Sequence, residues 1–436
     1  MEARNILEFT VGDRSRSTVL IVLGYYLPGY KAGGPVRTIT NIVHALGTEF
    51  DFKIITSDRD IGDSAPYAGV EPNQWVSVGN AKVMYVRNGG PAAVLKWILA
   101  TPHHVLYLNS FFSIPFSIVP MWAYATGILR TSSIILAPRG EFSSGALAIS
   151  PRQKRAYVAL TRNLPAYRRV LWHASSSHEM ADIERTWGPF VPPKCAAPFA
   201  AQSSDSPKNM VGIIAPDLTS AGTDRRAFSS LLPRTPKLRG ELRVVFLSRV
   251  CRMKNLTGAL RLLGALRGRV TFDIYGPLED PAYWRECQDL ISLLPANIQV
   301  RYCGIVPYPN VRAVLREYDL FLLPTLGENY GHAIIDALLA GCPVLISDRT
   351  PWRDLERLNV GWDLPLDQPA ISQEALQRCV DMSPEDHAAL SARALAFGWQ
   401  RSDDPQVLAQ NRDLFLVAQA RTYCKTAVDR PAANLI

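Results

Sequence analysis

At 436 residues the chain is long enough for two or three domains with substantial cores. Its 47% hydrophobic and 20% charged residues make an ordinary globular balance, and no repeat period runs along it. A net charge of +8 raises nucleic acid as a partner, but the chain has no helix-turn-helix, aromatic RNA-binding signature or zinc-finger pattern, so nucleic acid is set aside.

Residues 1–17 are polar and lack an apolar core, so they read as a loose arm rather than a secretory signal. Thr18–Leu23 reads as the first strand, followed by a glycine-rich loop in which Gly33 and Gly34 lead into a helix carrying Ile39, Ile42, Val43 and Leu46 on one face. Such a loop lets a phosphate approach backbone N–H groups, with Lys31 the nearest basic residue, although it is neither a G-x-G-x-x-G nor a G-K-[ST] motif. Further strands at Lys53–Thr56, Lys82–Val86, Val105–Leu108 and Ser133–Ala137 alternate with helical patterns, which predicts a doubly wound α/β domain. Asp58-Arg59-Asp60 has D-x-D spacing but reads as a solvated turn, and no metal is expected there. The apolar tract Phe111–Leu129 contains Pro115 and Pro120 and reads as a buried or membrane-touching helix rather than a span.

Arg139 follows the 133–137 strand. Its guanidinium could serve a phosphate or sugar hydroxyl, or clamp the loop by pairing with Glu141. Between Arg152 and Arg169 there are six basic residues and no acidic one, a surface suited to an anionic membrane or to solvent. After the strand Val170–His173, Ser176 and Glu179 have capping-box spacing. Pro, Ser and Ala then accumulate towards Arg239, marking a linker.

A second α/β series opens with the strand Leu242–Leu247. Arg249 and Lys254 lie in the loop after it, two cations beside the N-terminus of a helix carrying Leu256, Leu260 and Leu263, where all favour phosphate. Val270–Tyr275 and Ile298–Tyr302 are further strands, and a helix is expected from Val306 to Tyr318. The stretch Leu320–Asp348 reads as strand, loop, helix, strand, a parallel crossover. Glu328 sits in the loop outside a strand's carboxyl end. The backbone N–H groups of Asn329, Tyr330 and Gly331 are expected to open the helix, with His332 and Asp336 sharing one helix face. Carboxylates placed this way suit a polyhydroxylated ligand, because they only accept hydrogen bonds. The last helix is expected around Val407–Tyr423. Seven scattered cysteines, an odd number without a C-x-x-C pair, favour neither a disulfide framework nor a zinc site and fit a reducing cytosol.

Pro324-Thr325, Glu328, Gly331, Asp336 and Gly341-Cys342-Pro343-Val344 resemble the signature of retaining glycosyltransferases of family 4, departing from it in having Asp336 where that family usually has Glu. The resemblance implies a GT-B fold, two doubly wound Rossmann-like domains facing across a cleft: an acceptor-side domain at 18–205, a linker at 206–239, a nucleotide-sugar domain at 240–400, and a C-terminal helix at 401–436 that crosses back to the first. It implies that Gly33 and Gly34 lie near the donor phosphates, that Arg249 and Lys254 clamp the diphosphate, that Glu328 holds donor-sugar hydroxyls and Asp336 the ribose, and that His332 touches a phosphate or sugar. Arg139 stands where related enzymes have a donor-contacting histidine. The implied activity is retaining transfer of a hexose-type sugar from a UDP- or GDP-sugar to a glycan or lipid-linked acceptor, without an essential metal or other cofactor. The expected setting is the cytoplasm, with peripheral membrane contact through Arg152–Arg169. A nucleotide-sugar epimerase of the same fold and a non-catalytic sugar-binding protein are the alternatives.

Overall fold

The computed structural model describes residues 16–131, 133–148, 151–191, 210–219 and 234–428. Most of the loose arm and much of the expected linker lie outside the described residues.

Two sheets organise the chain, each with helices on both faces. The first runs β3-β4-β2-β1-β5-β6-β7-β9-β8, with β1 at Thr18–Val22, β2 at Asp51–Ser57, β3 at Trp75–Val78, β4 at Ala81–Val86, β5 at Val105–Leu108, β6 at Ser133–Leu136, β7 at Leu171–Ala174, β8 at Phe190–Val191 and β9 at Met210–Ile214. Every pairing is parallel except the β3–β4 hairpin at one edge. The second sheet runs β12-β11-β10-β13-β14-β15 and is all parallel, with β10 at Glu241–Leu247, β11 at Arg269–Tyr275, β12 at Ile298–Gly304, β13 at Leu320–Leu323, β14 at Val344–Ser347 and β15 at Gly361–Leu364. Central strands β5, β13 and β14 are buried at every position, as their unbroken apolar runs require of a sheet covered on both faces.

In both sheets the strand order reverses beside the first strand, between β1 and β5 and between β10 and β13. A crevice opens at such a switch point outside the carboxyl ends of the strands, because successive crossovers go to opposite faces. The loops that hold the sequence motifs leave the sheets there. Helix α1 (Gly34–Leu46) starts after Gly33, whose φ of 67° needs a glycine, with Pro35 in its first turn. In the second domain, Gly276 has a φ of 135°, and a Cβ there would lie 1.9 Å from the Ser248 carbonyl oxygen. That close approach brings the turns after β10 and β11 together.

Several elements differ from the sequence expectation. Met210–Ile214, inside the expected 206–239 linker, is strand β9 and pairs with β7, so the first domain extends past 205. Its alternating burial lacks the long apolar run that marks the central strands. The Phe111–Leu129 tract forms a wide turn at Ile114–Ile118 and the short helix α3 (Val119–Ala125), following α2 (Pro91–Ala100) in chain order. Among the described residues no helix is long and apolar enough to cross a membrane. The basic stretch divides into α5 (Pro151–Thr161) and α6 (Pro165–Arg169), preceded by α4 (Ser144–Ala148). Helix α7 (Ser177–Trp187) begins at Ser176, whose hydroxyl accepts from the Glu179 N–H at 3.1 Å.

The second domain continues with α8 (Leu256–Leu263), α9 (Pro281–Ser292), α10 (Val311–Arg316), α11 (His332–Leu339), α12 (Pro369–Asp381) and α13 (Pro384–Ser402). The last helix, α14 (Pro405–Val428), packs on the first domain. Leu414, Phe415 and Ala418 are fully buried in its core, and the Phe415 ring lies 5.4 Å from Phe50, 5.6 Å from Phe52 and 6.0 Å from Tyr107. Arg412 forks onto Glu49 at 2.6 and 2.7 Å. Phe415→Ala is expected to destabilise the first domain by about 3–5 kcal/mol, since it removes a buried ring and leaves a cavity. Denaturant unfolding followed by fluorescence checks this, and a loss below about 1 kcal/mol would show that the helix is not integral to that core.

Candidate active site between the two domains

The two loops at the switch point of the second sheet are stitched together by backbone and side-chain bonds. Leu326 N–H donates to Met253 O at 2.8 Å, and Asn255 Nδ2 donates to Pro324 O at 2.9 Å. Thr325, fully buried, donates its hydroxyl to Met253 O and accepts from Gly327 N–H. Asn255 caps α8 by accepting from Gly258 N–H at 3.2 Å, and a Cβ on Gly258 would fall 2.5 Å from that amide. This framework sets Lys254 Nζ 2.5 Å from Glu328 Oε1, both side chains nearly nine-tenths buried. The two residues are 74 positions apart, so only the βαβ order of the sheet brings them into contact.

Arg249 is not part of that pair. It turns to Glu279 at 2.6 Å in a half-exposed ion pair. The expected diphosphate clamp thus appears as two cations on two separate carboxylates, because each cation takes the nearest acid. The helix starts where the loop was expected to end. Gly331, at φ 82°, is the N-cap and α11 begins at His332, so Asn329, Tyr330 and Gly331 form the loop that opens it. The Tyr330 carbonyl accepts from the Trp352 indole at 2.5 Å.

The first domain presents its loops to this one. A Cβ on Gly34 would lie 3.6 Å from the His332 ring, and one on Gly140 would lie 3.0 Å from Asn329 Cβ. The expected helix face of His332 and Asp336 is gripped by consecutive residues of α1. Arg37 Nη1 lies 2.7 Å from Asp336 Oδ2, and Thr38 Oγ1 lies 3.1 Å from His332 Nε2. Arg312 Nε reaches the other Asp336 oxygen at 3.3 Å, leaving that carboxylate with no exposure. Burial pushes the Asp336 carboxyl up, but the Arg37 and Arg312 guanidinium groups outweigh it and hold the carboxyl below its ordinary range.

Asp217, which lies within the expected linker, ties the cluster together. It accepts from Thr38 Oγ1 at 2.8 Å and from Arg139 Nη1 at 2.7 Å, and lies 3.5 Å from His332 Nε2. Burial opposes its ionisation, yet Arg139 and His332 pull it below the ordinary carboxylate range. Burial and the nearby Arg37 lower the His332 pKa, so its imidazole is neutral near pH 7.

Two loop expectations change here. Arg139 does not pair with Glu141. It is buried against Asp217, Asn109 at 2.7 Å and the Tyr107 hydroxyl, with a side-chain exposure of 6%, and so is committed to the first domain. Glu141 instead accepts from Ser110 Oγ and the Phe111 and Phe112 N–H groups, and burial raises its pKa. Asp58 and Asp60 are buried rather than solvated. Asp60 accepts from the Tyr30 and Lys31 N–H groups and so braces the glycine loop, while Lys31 itself pairs with Asp63. Among the described residues no three His, Cys, Asp or Glu side chains are grouped to hold a metal.

Sequence reasoning missed Arg37, Thr38, Asp217 and Arg312. The first two lie in the first turn of the helix after Gly34, a position that could have been weighed. Asp217 has no local signal. Two buried acceptors near the seam, His332 Nδ1 and Asn329 Oδ1, have no partner among the described residues, a state that a bound polar ligand relieves.

Asp217→Ala is expected to cost roughly 3–5 kcal/mol, because it strands the buried Arg139 charge. The carboxylate's contribution is present above its unfolded pKa of about 3.9 and is lost as pH falls through its lower folded value. The gap between parent and variant should therefore close progressively below about pH 4. Melting temperatures at a series of pH values test this, and a gap independent of pH would contradict the charged-cluster account.

Residues 232–396 match the family model described as glycosyl transferases group 1. No curated protein sequence matches the chain. Among solved structures, sucrose-phosphate synthase from Thermosynechococcus elongatus is similar at a TM-score of 0.65 and 14% identity, covering 92% of this chain and 99% of that one. HepE from Anabaena, solved in complex with UDP and glucose, is similar at 0.61 and 15% identity, again with 92% and 99% covered. WaaG, a glycosyltransferase involved in lipopolysaccharide biosynthesis, is similar at 0.59 and 14% identity over the same shares. At these identities the likeness establishes the fold, which is GT-B.

Proposed function

We propose that the chain is a retaining glycosyltransferase that moves a hexose-type sugar from a UDP- or GDP-sugar to a glycan or lipid-linked acceptor. The observation that carries this reading is the Lys254–Glu328 pair, held by stitched loops at the switch point of the domain that matches the glycosyl transferases group 1 model. A cation and a carboxylate side by side suit the two halves of a nucleotide sugar, phosphate and polyol. The structure of HepE with UDP and glucose supports a uridine diphosphate donor by analogy of fold.

In this reading Lys254 turns from Glu328 to the donor diphosphate and offsets the charge that develops as the glycosidic C–O bond breaks. Arg249, released from Glu279, assists. Glu328 then accepts hydrogen bonds from the sugar hydroxyls, and Asp336 from the ribose. Asn329 and His332 supply further acceptors at the seam, and the Gly33-Gly34 turn leaves room for the phosphates. The acceptor hydroxyl forms the new C–O bond and its proton passes to the leaving phosphate, so no protein base is required. The charge is met by Lys and Arg, and we read the reaction as independent of metal.

The acceptor would approach over the first domain. A groove of about 430 Å³ runs between α4 and α5, lined by Leu147, Ala148, Arg155, Val158 and Arg162. Helix α4 abuts the Glu328 loop, since a Cβ on Gly145 would lie 2.9 Å from the Met253 methyl and 3.7 Å from Leu326 O. Cations beside apolar lining suit a lipid-linked acceptor at an anionic membrane surface.

Incubation with UDP- and GDP-sugars should release UDP or GDP and form a glycosylated product with excess EDTA present. An altered sugar nucleotide would indicate an epimerase, no turnover a binder, and loss restored by manganese a metal-dependent enzyme. Lys254→Ala should weaken nucleoside diphosphate binding by roughly ten- to a hundredfold, the worth of a charge-assisted bond. Unchanged calorimetric affinity would place the diphosphate elsewhere.

Co-sedimentation with vesicles tests the membrane contact. The parent should bind phosphatidylglycerol but not phosphatidylcholine vesicles, and an Arg155→Ala, Arg162→Ala double variant should lose most of that binding. Equal binding by parent and variant would remove this face from the interface.

A further inference from the structure

We propose that Arg37 is a donor-site positioning residue of the first domain, which holds the place of the donor's ribose on Asp336 until a nucleoside diphosphate displaces it. The inference rests on the reading of Asp336 as the ribose carboxylate.

Asp336 cannot receive a ribose hydroxyl as it stands. Its side chain is 1% exposed, with Arg37 on one oxygen at 2.7 Å and Arg312 on the other at 3.3 Å. The two arginines differ in how they are anchored. Arg312 belongs to α10 of the same domain as Asp336, whereas Arg37 reaches across the seam from the first turn of α1. Arg37 is the partner that can leave without disturbing the second domain.

It also has somewhere to stay. Its guanidinium carbon lies 4.3 Å above the Tyr308 ring, and Nη2 donates to the Tyr308 hydroxyl at 3.1 Å. A cation over an aromatic face is held by the ring quadrupole even after an ion pair is broken. Displacement therefore costs the Asp336 contact while the Tyr308 contacts remain. Arg37 Nε is buried with no partner among the described residues, so the guanidinium is not fully satisfied in its present place.

The electrostatics explain why such a plug is useful. A buried carboxylate needs compensation, and a ribose provides hydroxyl donors only when the donor is bound. Arg37 completes the compensation of Asp336 in the interval. With the ribose in place, its hydroxyls and Arg312 satisfy the carboxylate and Arg37 is released to Tyr308, beside the nucleoside. Arg37 and the nucleoside thus compete for one carboxylate oxygen, and the measured affinity is the intrinsic affinity reduced by the fraction of sites that Arg37 leaves open.

The test is a double-mutant cycle read by calorimetric titration with UDP and with GDP. Arg37→Ala is expected to tighten nucleoside diphosphate binding by roughly three- to thirtyfold, because the competitor is gone. Asp336→Asn should weaken it, and the double variant should bind like Asp336→Asn, since Arg37 has nothing to block once the carboxylate is gone. Arg37→Gln, which keeps bulk and hydrogen-bonding capacity, should tighten binding in the same direction, and melting temperatures confirm that each variant folds. Weaker binding by Arg37→Ala would make Arg37 a direct donor ligand, and an equal gain in the Asp336→Asn background would place its effect elsewhere; either overturns the proposal. Asp336→Asn binding like the parent would instead sink the ribose assignment on which it rests.

Discussion

The structure turns on the grip between α1 and α11. Arg37 and Thr38 are neighbours in sequence, and His332 and Asp336 are one helical turn apart. Together they join the two domains through an ion pair at 2.7 Å and a hydrogen bond at 3.1 Å. The chemistry of the grip is costly to assemble, since it buries the side chains of Asp217, Asp336 and Arg139 beside a partly buried Arg37. Its members compensate one another, each carboxylate meeting at least one guanidinium. Buried pairs of this kind favour one arrangement of the domains more than they add net stability, because desolvation consumes most of the Coulomb gain. A seam built this way is specific, and it can be rearranged by any ligand that offers the same groups better partners.

The same logic extends to Lys254 and Glu328. Without a ligand, the lysine and the carboxylate neutralise each other, as Arg37 and Asp336 do. Each pair has one group suited to phosphate and one suited to hydroxyls. The site is therefore electrostatically closed on itself, and under the proposed function a nucleotide sugar would exchange internal ion pairs for external ones of similar kind. Such an exchange leaves few charges unpaired at any stage. Arg139 stands outside it, because its bonds to Asn109, Asp217 and Tyr107 are all to the first domain and it shapes the seam from behind.

The framework that presents these groups is ordinary α/β architecture used twice. Each sheet reverses its order beside its first strand, and the loops at that point carry the polar residues. Stitching of the 253–255 loop to the 324–327 loop by Thr325, Asn255 and backbone bonds converts two flexible connections into a rigid support. The glycine loop after β1 is likewise braced, by Asp60. Side chains on braced loops lose less freedom on binding than side chains on open ones.

Much of this was legible in the sequence. The apolar runs of β5, β10, β13 and β14 declare a buried parallel sheet, and their spacing declares the crossovers, because a strand covered on both faces has no polar side to show. The block from Pro324 to Val344 marked Glu328 and Asp336 as neighbours on one loop and helix, since strand, turn and helix signals are local. Gly33, Gly34, Lys254 and His332 were placed near the site by the family resemblance, and the fold sets Gly34 beside His332 and Lys254 beside Glu328. What the sequence could not determine was pairing. Strand β9 lay hidden in a composition that reads as linker, because a short strand is stabilised by its neighbours rather than by its own residues. Arg139 was offered Glu141 as its nearest acid, yet the fold gave it Asp217, 78 positions away. Arg249 and Lys254 share a loop but face different carboxylates, and Asp336 meets an arginine from the other domain. Local structure follows from steric and apolar patterns within a few residues. Which charge meets which depends on how two domains close on each other, and only the tertiary structure decides that.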